Sequence, residues 1–147
     1  MAVLRRVQKP SKASVDGAGP SGPTILYVED NEANFDVAKS ILRKNFVVDW
    51  ASTSDQAISK LESNDYALIL MDIELSGSAM SGLDLTQELR SGRFDREDRL
   101  LKDLPIIIVT AYTAAYRETE ILDLGANAML FKPIEADLLV DRALSLS

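Results

Sequence analysis

Residues 105–111, Pro-Ile-Ile-Ile-Val-Thr-Ala, hold four consecutive β-branched aliphatic side chains that stop on a threonine. A strand with one face in water alternates apolar and polar residues, whereas an unbroken apolar run suits a strand covered on both faces, as in a parallel sheet packed between helices. Three more runs share this character and each stops on a different polar residue. Ile25-Leu26-Tyr27-Val28 ends on Glu29-Asp30, Leu68-Ile69-Leu70-Met71 on Asp72, and Met129-Leu130-Phe131 on Lys132. A fifth run, Phe46-Val47-Val48-Asp49-Trp50, is more mixed and suits an edge strand. Its Trp50 is either an interface residue or, the reading favoured here, packed beneath the first or second helix.

Between the runs, apolar residues fall at helical spacing: Phe35, Ala38, Ile41 and Leu42; Ala57, Ile58 and Leu61; Leu83, Leu85 and Leu89; Ile121, Leu122 and Leu124; Leu138, Leu139 and Leu144. The pattern is a (βα)5 α/β fold, a doubly wound five-stranded parallel sheet. Thr53 with Gln56 and Ser81 with Asp84 have the spacing of capping boxes, and Gly125 follows Leu124 as a helix stop. The runs begin near 25, 46, 67, 105 and 128, with one long gap between the third and the fourth. That excess predicts an enlarged loop at 76–82 and a charged, solvated connection at 92–99.

The chain has 147 residues, 46% of them hydrophobic, a net charge of −7, and neither cysteine nor histidine. Lacking cysteine, it has no disulfides or thiolate nucleophiles. Lacking histidine, it has no Ser-His-Asp triad and no phosphohistidine of its own. Residues 1–23 carry a net +3, leaving −10 for the rest, which argues against nucleic acid as a partner. Residues 8–23 are rich in Gly, Pro, Ser and Ala without apolar period, so 1–23 is expected to be a flexible tail and 24–147 the folded domain. No apolar stretch approaches the ~20 residues of a membrane helix, and no secretory h-region follows Met1. A cytoplasmic protein with no membrane association is expected.

In an open α/β sheet, ligands sit outside the carboxyl ends of the strands, so Glu29, Asp30, Asp72, Thr110 and Lys132 would converge there. Each alone has an ordinary explanation: Asp30 and Asn31 as helix caps, Asp72 as a turn residue, Thr110 as a strand end, Lys132 as a solvated lysine. Together they are the inventory of a phosphoryl-accepting aspartate. Three carboxylates repel one another unless a cation is present, and Mg²⁺ takes oxygen ligands of this kind. Asp72 is the natural nucleophile, giving an acyl phosphate. Thr110 and Lys132 would hold the phosphoryl oxygens.

Val28-Glu29-Asp30-Asn31-Glu32-Ala33-Asn34, Leu70-Met71-Asp72-Ile73, Pro105 through Ala111, and Gly125-Ala126-Asn127 through Lys132-Pro133 together resemble the motifs of the response regulator receiver domain. This is the CheY-like phosphoacceptor module of two-component signalling, and the match spans about Thr24 to Leu144. The resemblance implies a flavodoxin-like sheet of order 2-1-3-4-5, phosphoryl transfer to Asp72 from a phosphohistidine, and Mg²⁺ held by Glu29, Asp30, Asp72 and the Glu74 backbone carbonyl. It further implies movement of Thr110 toward the phosphoryl group and a cis Lys132-Pro133 bond. Partners would be a sensor histidine kinase or a histidine phosphotransfer protein, and a downstream protein the sequence does not identify. The chain is expected to act as a stand-alone switch rather than an enzyme, with only its own phosphorylation and dephosphorylation chemistry.

Two positions depart from the family pattern. Ser76 stands where a proline is usual and Gly82 falls two places late, which predicts a more mobile loop over the acceptor. Met129 replaces the Tyr or Phe whose rotation commonly reports the state of Thr110. A pseudo-receiver that binds partners without phosphorylation is one alternative, and an Mg²⁺-dependent aspartyl-phosphate phosphatase another. An FMN site is disfavoured because Glu29-Asp30-Asn31-Glu32 would repel phosphate.

Overall fold

The computed structural model describes residues 22–111 and 116–147. All but the last two residues of the expected tail lie outside them. Five strands alternate with five helices: β1 (Thr24–Val28), α1 (Glu32–Leu42), β2 (Val47–Ala51), α2 (Ser54–Ser63), β3 (Leu68–Met71), α3 (Gly82–Arg90), β4 (Ile106–Ala111), α4 (Glu118–Asp123), β5 (Ala128–Lys132) and α5 (Ala136–Leu146). A short 3-10 helix, Leu101–Asp103, precedes β4. All pairings are parallel and the order is β2-β1-β3-β4-β5, as expected, with β2 at one edge.

Because side chains alternate across a strand, the unbroken apolar runs feed two cores. Leu26, Val28, Ile69, Met71, Ile106 and Ile108 face Leu61, Leu85, Leu89 and Ile121 on one side. Ile25, Tyr27, Leu68, Leu70, Ile107 and Val109 face Phe35, Leu42 and Leu139 on the other. The first three helices bury most of the residues their spacing selects, with Phe35, Ala38 and Leu42 inward from α1, while Ile41, Ile58 and Leu83 are half-buried. Leu122 and Leu144 differ from expectation: they are 38% and 51% exposed, while Ile121, Leu139 and Ala143 carry the contacts of α4 and α5. A helix buries only the stripe that faces the sheet, so apolar residues beside that stripe stay wet.

Start signals act nearly as read. Ser81 and Asp84 form a reciprocal capping box on α3. Thr53 accepts from the Gln56 N–H, but the Gln56 side chain accepts from Ser52 instead of completing the box. Asn31, not Asp30, caps α1, which leaves the Asp30 carboxylate available elsewhere. Gly125 adopts φ +117 after α4, a conformation that favours glycine.

The charged connection at 92–99 is anchored as well as solvated. Arg99 donates to the Leu61 and Asn64 carbonyls at 3.4 and 2.6 Å, capping the end of α2, and Arg96 pairs with Glu62 at 3.0 Å. Beneath it, Arg90 donates to the carbonyls of Lys102, Leu104 and Gly125 and to the Asn127 side chain. These bonds join α3 to the segments flanking β4.

Candidate phosphoacceptor site

The registers bring the strand ends level. Val28 pairs with Ala51 and with Met71, so Glu29 and Asp72 leave adjacent strands side by side, and the Asp72 N–H donates to the Val28 carbonyl at 3.0 Å. β5 lies two strands from β3, a separation of roughly 10 Å, which a lysine side chain spans. The Lys132 ammonium sits 2.8 Å from Glu29 Oε1 and 3.1 Å from Asp72 Oδ2. Thr110, 4% exposed, is the penultimate residue of β4, the strand between β3 and β5. Glu29, Asp30, Asp72, Glu74, Ser76, Thr110 and Lys132 all line one cleft of about 540 Å³. The structure therefore brings together every residue singled out from the sequence.

Several groups that the sequence reading missed hold Glu29. Oε1 accepts from the Tyr27 hydroxyl at 3.0 Å as well as from Lys132, and Oε2 accepts from the Asn31 N–H at 3.1 Å and the Asn34 amide at 3.4 Å. The Trp50 indole N–H donates to the Glu29 carbonyl oxygen at 2.6 Å, with its ring stacked on Phe35. Trp50 thus packs against α1, the reading favoured from sequence. Tyr27 was legible in principle, being two residues from Glu29 and so on the same strand face.

Electrostatics favour a cation. Burial, followed by repulsion from Glu29, raises the Asp72 carboxyl to about 6 despite Lys132 beside it. Burial would lower the Lys132 pKa, but its bonds to Glu29 and Asp72 outweigh that and keep it charged. Burial likewise would raise Asp30, but hydrogen bonds from Ser76 hold it below the usual carboxylate range. Carboxylate oxygens of Glu29, Asp30 and Asp72 lie within 4.8 Å of one another. With all three ionised and Lys132 protonated, the cluster carries two uncompensated negative charges on hard oxygen donors. That set fits a divalent cation of the magnesium type.

The loop at 76–82 is tied down at several points. Ser78 N–H closes a turn on the Leu75 carbonyl at 3.1 Å, and Gly77 adopts φ +76 within it. The Gly82 N–H donates to the Ile73 carbonyl at 2.7 Å. Met129 is buried in the α2–α4 core, opposite Ile108 in register. The Lys132-Pro133 bond is cis.

Comparison with known proteins agrees with this geometry. The family model described as response regulator receiver domain matches residues 25–144. The autoinducer 2 sensor kinase/phosphatase LuxQ of Vibrio vulnificus is 34% identical over 124 residues, covering 84% of this chain and 13% of its own length. The aerobic respiration control sensor protein ArcB of Escherichia coli is 36% identical over 111 residues, 75% of this chain and 13% of ArcB. The chain thus spans about an eighth of each relative. Among solved structures, the receiver domain of the sensor histidine kinase PA1611 from Pseudomonas aeruginosa, with a magnesium ion coordinated in its active-site cleft, superposes with a TM-score of 0.70 at 31% identity. That match covers 86% of this chain and 98% of the other. With the matched sequence, the 2-1-3-4-5 sheet and the acidic cleft at its strand ends all in agreement, this chain belongs to the response regulator receiver domain family.

Proposed function

We propose that Asp72 is the phosphoacceptor, taking a phosphoryl group from a phosphohistidine on a sensor histidine kinase or histidine phosphotransfer protein, and that the acyl phosphate changes a protein-binding surface. An Asp72 oxygen attacks phosphorus, a P–O bond forms, the P–N bond to the partner's imidazole breaks, and the leaving nitrogen keeps the electron pair. Lys132, already 3.1 Å from Asp72 Oδ2, moves its charge onto a phosphoryl oxygen, and the Thr110 hydroxyl donates to another. Glu29, Asp30, Asp72 and the Glu74 carbonyl would hold Mg²⁺, which when bound supplies positive charge to the transferring group.

The observation that carries this reading is the pairing of a buried Asp72 with Lys132 inside a cluster two charges short of neutrality. The sensor proteins among the relatives support a partner in histidine-to-aspartate transfer.

The test is intact-mass measurement after incubation with Mg²⁺ and acetyl phosphate. A phosphoryl adduct on the unaltered chain that disappears in Asp72→Ala is the expected outcome. No adduct on either would indicate a pseudo-receiver, and catalytic release of phosphate from external monoesters would indicate a phosphatase.

A further inference from the structure

Ser76 stands in the second position of the turn from Leu75 to Ser78, with Gly77 in the third. A positive φ in the third position marks the turn type that accepts proline in the second, so a proline at 76 would suit the same backbone. Serine differs in two respects: its hydroxyl also bonds Asp30, and it has a backbone N–H where proline has none. Here that N–H is in use, donating to Asp30 Oδ2 at 2.9 Å across a sequence separation of 46 residues.

The turn is held where this bond requires it. The Ser54 N–H, one of the unsatisfied donors at the start of α2, donates to Ser78 Oγ at 3.0 Å, and the Met80 N–H donates to Ser54 Oγ at 3.3 Å. Ser54 is fully buried. The two serines clamp the enlarged loop to α2, and the clamped loop presents its Ser76 amide to Asp30.

We propose that the Ser76 backbone amide is a positioning group for the cation site: it fixes one Asp30 oxygen and so orients the carboxylate to offer the other. This rests on the reading of Glu29, Asp30 and Asp72 as Mg²⁺ ligands. The enlarged loop then supplies orientation that Asp30, the most solvent-facing of the three carboxylates, would otherwise lack. A freely rotating carboxylate must lose that freedom on binding, and a preoriented one has already lost it.

The test is a Mg²⁺ titration followed by the fluorescence of Trp50, the single tryptophan, whose indole is bonded to the Glu29 carbonyl. Ser76→Pro deletes the N–H and is expected to bind Mg²⁺ about fivefold more weakly than the unaltered chain. Ser76→Ala, which loses the hydroxyl's bond to Asp30 but keeps the N–H, is expected to bind several-fold more tightly than Ser76→Pro. Ser78→Ala, which keeps the amide but loosens the clamp, is expected to fall between. Unfolding of each metal-free variant shows that it folds. Equal affinity of Ser76→Pro and the unaltered chain overturns this inference alone, as does equal weakening by Ser76→Ala and Ser76→Pro. Absence of Mg²⁺ binding by the unaltered chain overturns the metal reading and this inference with it.

Discussion

Asp72 is the residue whose chemistry and stability oppose each other. It is 5% exposed, and its pKa rises from 3.8 to about 6 through burial and then through repulsion from Glu29. A folded-state pKa above the unfolded value means that the folded chain holds the proton more tightly. The stability linked to that proton is complete below about pH 4 and is lost as pH rises through about 6. Near neutral pH the metal-free protein therefore carries an ionised Asp72 at a cost of up to about 3 kcal/mol. Asp72→Asn removes that charge, and Lys132 keeps Glu29 as a partner at 2.8 Å. We expect metal-free Asp72→Asn to unfold at higher urea concentration than the unaltered chain near neutral pH, with the gap closing in acid. Equal midpoints across that range would show that Asp72 is not strained.

The junction of β3 with α3 sets where Asp72, the proposed acceptor, sits. Ser81 and Asp84 start α3, and its first residue, Gly82, packs against the main chain of Asp72. A Cβ at 82 would overlap the Asp72 carbonyl, and neither backbone can yield without moving β3 or the helix. Gly82 arrives two places later than the family pattern, yet its N–H still donates to the Ile73 carbonyl at 2.7 Å. Gly82→Ala is expected to destabilise the fold by about 1–3 kcal/mol, read from the urea midpoint. It should also slow acetyl phosphate labelling, since the displaced carbonyl belongs to Asp72, the proposed acceptor. Unchanged stability would mean that α3 can shift freely.

For the molecule as a whole, a cation bound only by the folded chain raises stability by mass action. Mg²⁺ at about a hundred times its Kd should add about 2.7 kcal/mol, or roughly 10 °C in Tm for a domain of this size. A chelator should reverse the shift. Asp30→Ala should largely abolish it, because Asp30 is the proposed ligand whose loss leaves the Glu29–Lys132–Asp72 contacts in place. No Mg²⁺-dependent shift in the unaltered chain would sink the assignment of the acidic cluster as a cation site. Among the described residues, no helix is long and apolar enough to cross a membrane.

The sequence determined the alternation of strand and helix, the parallel sheet, and the polar residues waiting at the strand ends. Such patterns are local: an unbroken run such as Ile106–Val109 demands cover on both faces wherever it is placed. What the tertiary structure decided were contacts between residues distant in the chain. It chose Asn31 over Asp30 as the cap, turned Leu122 and Leu144 outward, and anchored the 92–99 connection on α2. It set Tyr27 and Trp50 on Glu29. The loop expected to be loose from the absence of proline is held by Ser54 and Ser78, and the missing proline leaves an amide for Asp30. A backbone donor carries no signature of its target in sequence, because every residue except proline has one; only folding selects the carboxylate it meets.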